Sequence, residues 1–417
     1  MGKKAAKAKG VVKAKGPVKV ATSPDAKTEP LNRSLSAAKA AKQDEFYTQY
    51  VDIQKEVEAY LEFDPNTFRG KIVYCNCDDP FESNFFKYFA ASFNKLGLKK
   101  LITTSYDGSP IAGQLTLFPE HTEGNGKRPK PKAVGFIVDH VKDENGDGAT
   151  DIEDVKLFLK KNKAARIALP ADDQYPGGDF RSADCVELLK QADIVVTNPP
   201  FSLFREYVAQ LVEHGKKFVI VGPKNAITYN EVFPLIKGNK LWLGSGFVNG
   251  NAYFSIPSHA GREFADGVYD ESTGLVKFRN VGWFTNLDHG RRHQKLPLMA
   301  MADNIKFSKH KEVRGIGYET YCNFDAIEVP FTDAIPSDFD GVMGVPITFL
   351  EKYNPDQFEI IANGDDRDEM EALGVRRLGP EYVGNVGRRK VGIPSTRKAA
   401  YKRVLIRHRN ITKGKKK

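Results

Sequence analysis

The segment 193–208, DIVVTNPPFSLFREYV, is the tightest constraint in the chain. Ile194-Val195-Val196 is unbroken apolar sequence, the mark of a strand buried on both faces in a helix-covered parallel sheet. It runs straight into Asn198-Pro199-Pro200-Phe201, where two prolines lack the N–H that a ladder needs and so stop the strand. FSLFREYVAQLVEHG then carries helical spacing, and KKFVIVGPK is a further apolar strand. Upstream, GKIVYCNCDDP, SNFFKYFAASFNKLG and LKKLITTSYDG repeat strand, helix, strand, with Ser83 or Asn84 as the helix cap and Gly97 at its end. The alternation predicts an α/β fold with a parallel sheet, whose ligands sit at the carboxyl ends of the strands. Asn198 stands at such an end.

The chemistry of that corner follows from its residue types. The prolines fix the backbone and leave the Pro199 carbonyl as a bare acceptor beside the amide oxygen of Asn198. Two converging acceptors match the two hydrogens of an exocyclic amine on a nucleobase, and binding both favours a pyramidal nitrogen with its lone pair aimed at an electrophile. Phe201 can stack on the face of the base, worth about 1–3 kcal/mol.

Composition narrows the setting. With 417 residues the chain can build two or three domains. Cys75, Cys77, Cys185 and Cys322 are too few for a disulfide framework, and Cys75-Asn76-Cys77 lacks zinc-ligand spacing, so no metal is expected. No apolar run approaches the roughly 20 residues of a membrane span, which points to a reduced, cytoplasmic protein. The net charge of +10 sits in the tails: residues 1–40 hold ten Lys/Arg against Asp25 and Glu29, and residues 401–417 hold eight and no acid. The middle of the chain is therefore net acidic. A Lys/Ala/Pro-rich N-terminus reads either as a disordered, salt-sensitive tether for a polyanion or as a solubilising arm.

The order DEFYTQ (44–49), VYCNCDDP (73–80), GDF (178–180) and TNPPF (197–201), followed by a C-terminal domain, resembles the EcoRI-type adenine-N6 DNA methyltransferases. The likeness runs from 44 to about 405 and includes NVGWFTNLDHG (280–290) and GVMGVPITFLEKYNPDQFEI (341–360). It implies a Rossmann-like class I methyltransferase sheet and the cofactor S-adenosylmethionine. It also implies double-stranded DNA as partner, nucleoid association, and a partner restriction endonuclease against which the product marks host DNA. The domains it implies are a basic tail (1–43), a catalytic domain (44–300, with an insertion at about 108–165), a target-recognition domain (301–405) and a second basic tail (406–417). By position, Phe46, Tyr47 and Thr48 would flank the methionine part of the cofactor, Asp78 or Asp79 would close the first strand, Asp107 would bind ribose hydroxyls, and Asp179 and Phe180 would meet the cofactor adenine. The target base must rotate out of the duplex to reach Asn198, Pro199, Pro200 and Phe201. Trp283 or Phe284 is the candidate for its second stacking face, the alternative being that both pack an edge strand.

The chain departs from the family pattern at CDDPFESNF, which has no glycine where a glycine-rich loop is usual. Asn198, where many relatives of this fold carry Asp, cannot take up a proton at neutral pH, so it is no general base. Asp78, Asp79 and Asp179 also read as helix-cap or turn residues. Asn-Pro-Pro-aromatic also occurs in enzymes that methylate rRNA guanine N2 or protein glutamine, and a catalytically idle DNA-binding subunit is a further reading. Finally, DENGDGATDIED (143–154) has the acidic spacing of an EF-hand loop but ends in Asp and follows a strand, which favours a polar turn before a capped helix.

Overall fold

The computed structural model describes residues 47–77, 83–106, 133–148, 150–161, 166–247, 251–256 and 267–410. Phe46, Asp78, Asp79, Asp107 and the basic tails up to residue 46 and from residue 411 lie outside the described residues. In chain order, β1 (Tyr47–Thr48) leads to α1 (Tyr50–Phe63), β2 (Ile72–Cys75), α2 (Asn84–Ala91), α3 (Phe93–Leu96) and β3 (Lys100–Thr104). Next come β4 (Val134–Val138), α4 (Ile152–Lys161), β5 (Arg166–Ala168), α5 (Ala183–Gln191), β6 (Ile194–Thr197), α6 (Phe204–Glu213), β7 (Lys217–Pro223), α7 (Phe233–Lys237) and β8 (Trp242–Leu243). β9 (Ala252–Ser255), β10 (Tyr269–Asp270), β11 (Leu275–Phe278), β12 (Val281–Thr285), α8 (Met301–Phe307), β13 (Ala326–Glu328) and β14 (Val342–Pro346) follow. The chain ends through β15 (Phe358–Asn363), α9 (Arg367–Ala372), β16 (Gly392–Ile393), β17 (Lys398–Ala399) and β18 (Arg403–His408).

Eight strands form the main sheet in the order β5-β4-β3-β2-β6-β7-β12-β8. β3, β2, β6 and β7 are parallel neighbours, as the strand-helix alternation predicts. Beyond them pairing turns antiparallel: β4 against β3, β5 against β4, and β12 between β7 and β8. The fold is therefore mixed α/β. The strand at Val134–Val138, within the segment set apart as an insertion, belongs to this sheet.

The period-2 alternation of the parallel strands divides the core. Tyr74, Ile102, Val195, Phe218 and Ile220 point into one buried cluster, while Val73, Leu101, Ile194, Val196, Val219 and Val221 point into the other. The second cluster is covered by α1 and α2 through Ile53, Val57, Tyr60, Phe85, Phe86 and Phe89. Within α1 the buried stripe is Ile53, Glu56, Val57 and Tyr60, whereas Val51, apolar and close to the same spacing, is exposed. Ser83 caps α2 by accepting from the Phe85 N–H, and Gly97, at φ +63°, ends α3 in the left-handed conformation.

A second sheet, β13-β14-β18-β15, turns Met343, Val345, Phe358, Ile360, Val404 and Ile406 into the same cluster as Ile220 and Phe284. The two sheets thus share apolar contacts. β18 continues through His408, past the boundary at 405 drawn from the sequence.

Candidate active site

The strand order reverses between β2 and β6: from β2 the chain steps to β3 on one side, and from β6 to β7 on the other. A crevice opens at such a reversal, outside the carboxyl ends of the two strands. Asn76 directly follows β2 there and Asn198 directly follows β6. The Thr197 hydroxyl donates to the Asn76 carbonyl, and the Tyr207 hydroxyl, from α6, donates to Asn76 Oδ1. Asn198, Pro200 and Phe201 are half-buried, Pro199 is buried, and the Asn198 Oδ1 atom is itself shielded from solvent. Phe201–Leu203 forms a 3-10 turn that runs into α6, closed by the Leu203 N–H donating to the Pro200 carbonyl at 3.0 Å. The Phe201 ring packs against the cluster that holds Phe85, Phe247 and Trp283.

Close packing fixes where α6 starts. Its first residue, Phe204, lies on β7 at Gly222, where a Cβ would stand 2.2 Å from the Phe204 ring. Only glycine admits that approach. On the other side Phe204 packs on Phe284, centroids 5.0 Å apart.

The GDF segment forms a second wall. Gly178 has φ +73°, and a Cβ there would sit 1.8 Å from the carbonyl oxygen of Ser105, just past the end of β3. The glycine therefore brings Asp179 and Phe180 against the carboxyl end of β3. Asp179 is buried, and its carboxylate accepts the Arg181 backbone N–H and Nε at Oδ1 and Nη2 at Oδ2, each at 2.9 Å. Arg181 also donates to Glu206 on α6 at 2.8 Å. The Phe180 ring meets Tyr207 edge-on at 5.0 Å, and its carbonyl accepts from Gln210 Nε2 at 3.1 Å. GDF and the helix after NPPF are thus fastened together.

Tyr47–Thr48 pairs with Phe254 and Ser255 of β9, and Asn84, at the head of α2, donates to the Thr48 carbonyl at 2.8 Å. The Thr48 hydroxyl is buried with no hydrogen-bond partner among the described residues. The buried, unspent Thr48 hydroxyl near the head of α2 suits the polar amino-acid head of a ligand such as S-adenosylmethionine, while Asp179, both oxygens on Arg181, and Phe180, buried against Tyr207, stand beside β3 as the second wall.

Other candidates resolve differently. Trp283 and Phe284 are fully buried on opposite faces of β12, Trp283 between Phe85 and Phe247, Phe284 against Phe204. Neither ring has an open face, which corrects their candidacy as the second stacking surface. The acidic loop spends its carboxylates on its own backbone. Asp143 accepts from the N–H groups of Gly146, Asp147 and Gly148, and Asp154 accepts from those of Glu144, Asn145 and Asp151. This is the geometry of the polar turn.

Two groups escape a reading of the sequence. Glu56 is fully buried on the apolar stripe of α1 and accepts from Tyr60 Oη (2.6 Å), Ser245 N (3.0 Å), Ser245 Oγ (2.8 Å) and Gly246 N (3.1 Å). Burial raises its pKa while these four donors pull it back down. It holds the loop that places Phe247 on Trp283, the rings 5.4 Å apart. Its signal is nevertheless present: Ile53, Glu56, Val57 and Tyr60 follow the i, i+3, i+4, i+7 spacing of a single face. The Asn76–Tyr207 bond has no signal, because it joins residues 131 positions apart.

Comparison with known proteins adds an independent line. The family described as "Adenine-specific methyltransferase EcoRI" matches residues 34–409. "Type II methyltransferase M.EcoRI" of Escherichia coli is 42% identical over 341 residues, covering 82% of this chain and 92% of that protein. "Type II methyltransferase M.MpnI" of Mycoplasma pneumoniae is 35% identical over 330 residues, 78% of this chain and 84% of its own length. "Type II methyltransferase M.MgeORF184P" of Mycoplasma genitalium is 34% identical over 336 residues, 78% and 85%. No solved structure matches the chain.

Proposed function

The chain belongs to the EcoRI family of adenine-specific methyltransferases, and from that premise we propose that it methylates N6 of adenine in duplex DNA at the corner formed by Asn198, Pro199, Pro200 and Phe201. One observation carries this: the corner stands at the reversal of strand order, beside the carboxyl end of β2. In this reading the sheet is the Rossmann-like sheet of a class I methyltransferase, and residues 301–405 are a target-recognition domain.

Asn198 Oδ1 and the Pro199 carbonyl accept the two N6 hydrogens, which localises the nitrogen lone pair. Phe201 stacks on the adenine after it has left the duplex. Asn198 takes no proton, so the proton passes to water after transfer. S-adenosylmethionine supplies, when bound, a methyl group activated by sulfonium charge. Thr48, with Tyr47 and Phe46 beside it, would hold its amino-acid end, Asp78 or Asp79 and Asp107 its polar middle, and Asp179 and Phe180 its adenine. The two tails, with their excess of lysine, would add non-specific attraction to DNA. The methyl mark would protect sites from a partner restriction endonuclease. No helix among the described residues is long and apolar enough to cross a membrane.

Labelled S-adenosylmethionine incubated with duplex DNA, RNA or protein substrates tests the assignment. The expected product is N6-methyladenine from DNA. Labelled methylguanine from RNA or methylglutamine from protein would contradict it, and no transfer to any substrate would leave an idle DNA-binding subunit.

A further inference from the structure

Residues 376–402 carry eight basic residues against the lone acid Glu381; Arg389 and Lys390 pair with Glu371 (2.8 Å) and Asp365 (2.5 Å) outside the segment, while Arg377 and Arg388 are exposed. The folding of the segment is unusual for a solvated charge run. The Leu378 N–H donates to the Arg388 carbonyl and the Gly387 N–H to the Leu378 carbonyl, both at 2.9 Å, so residues 379–387 form a loop closed at its base. Arg377 and Arg388 flank that closure. Beneath it the buried side chain of Asn323 staples both legs: Nδ2 donates to the carbonyls of Arg376 and Lys390, both at 2.7 Å, and Oδ1 accepts from Gly392 N at 3.0 Å. Tyr382 and Leu378 anchor the interior, crowding Gly392, where a Cβ would stand 2.5 Å from Leu378 and 2.9 Å from Tyr382.

This fixed platform projects apolar side chains into solvent. Val383 is 84% exposed and Val386 59% exposed, among the most exposed large hydrophobic residues of the described chain. Valine held out on a braced loop, with guanidinium groups at the loop's feet, matches a surface that enters a groove of a polyanion: apolar tips meet base edges and arginines meet the flanking phosphates.

We propose that the loop 377–388 is a preformed DNA-reading element, with Arg377 and Arg388 on phosphates and Val383 and Val386 against bases in the groove. This rests on duplex DNA being the substrate, and it names the part of the C-terminal region that touches it. A second copy of the chain is the competing occupant, but the clustered positive charge would repel a like surface.

The test measures affinity for a duplex containing the methylated site across a salt series, using the full-length chain with S-adenosylmethionine present. Arg377→Gln/Arg388→Gln is expected to weaken binding about tenfold near 0.15 M salt and to flatten the slope of log affinity against log salt by about two, one for each phosphate no longer neutralised. Val383→Ser/Val386→Ser is expected to weaken binding severalfold with the slope unchanged. Thermal melting and cofactor binding report that both variants stay folded; should either unfold, Asn323→Ser, which loosens the platform without removing charge, is read in its place and is expected to weaken binding. Wild-type affinity and slope in the arginine variant, or wild-type affinity in the valine variant, overturns the proposal, as does a valine variant that loses self-association while keeping DNA binding. Failure of the wild-type chain to bind or methylate DNA instead refutes the functional reading itself.

Discussion

Tyr207 holds two parts of the site together with one hydroxyl. It donates to Asn76 Oδ1 from the helix that follows NPPF, and both residues are buried. Removing the hydroxyl leaves a buried acceptor without its donor, which costs about 1–3 kcal/mol. Tyr207→Phe is therefore expected to lower the stability measured by denaturant unfolding by that amount and to reduce kcat with little change in DNA affinity; a wild-type kcat contradicts its positioning role. His289 is expected to make the fold sensitive to pH. Its Nε2–H donates to the Leu243 carbonyl at 3.1 Å, and Nδ1 is buried with no partner among the described residues. Burial depresses its pKa below the ordinary value near 6.5, the Leu243 carbonyl and Asp288 oppose this, and Arg291 and Arg292 reinforce it. The unfolded chain then binds the proton first, so the contribution is fully present above pH 6.5 and is lost as pH falls through the range below it. The melting temperature is expected to drop between about pH 7 and about pH 5, and His289→Gln to flatten that part of the profile. Equal slopes for the two proteins contradict the assignment.

At the scale of elements, α6 is aimed by β7. The missing side chain of Gly222 lets Phe204 sit directly on the strand, which sets the height of the 3-10 turn and of the NPPF corner before it. Gly222→Ala is expected to displace the head of α6, costing about 1–3 kcal/mol as overpacking does, and to reduce kcat more than stability alone explains. Activity at the wild-type level in a variant shown to be folded contradicts this. The strand leading to NPPF is legible in the sequence because unbroken apolar residues stopped by two prolines admit few alternatives, and α2 is legible from Ser83 and Gly97, the first capping it and the second ending the short helix that follows. The direction of β4 is not, since nothing in VGFIV says which way it pairs. Glu56 escapes because a carboxylate does not count toward an apolar face, although its spacing places it there. Trp283 and Phe284 mislead for a related reason: alternation along β12 gives each ring to a different buried cluster, and neither to the crevice.

At the scale of the whole molecule, chemistry and DNA binding would fall to separate parts of the chain. The crevice lies at the carboxyl ends of the main sheet, and the basic loop lies more than 170 positions along the chain, on the part that contains the second sheet. The two sheets share an apolar core through residues such as Ile220 and Val345, and ion pairs Lys224–Glu351 (3.0 Å) and Lys237–Glu369 (2.8 Å) join their surroundings. A joint of this kind would hold a bound duplex in register with the corner while leaving each task to its own residues. Single-turnover methylation of a duplex by Asn198→Ala, set beside its equilibrium affinity for the same duplex, addresses that separation most directly. The methyl-transfer rate is expected to fall by about 10²–10³, the scale of removing one preorganised electrostatic interaction, with DNA affinity within about threefold of wild type. A variant that transfers methyl groups at the wild-type rate, or that loses rate and affinity in equal proportion, contradicts it.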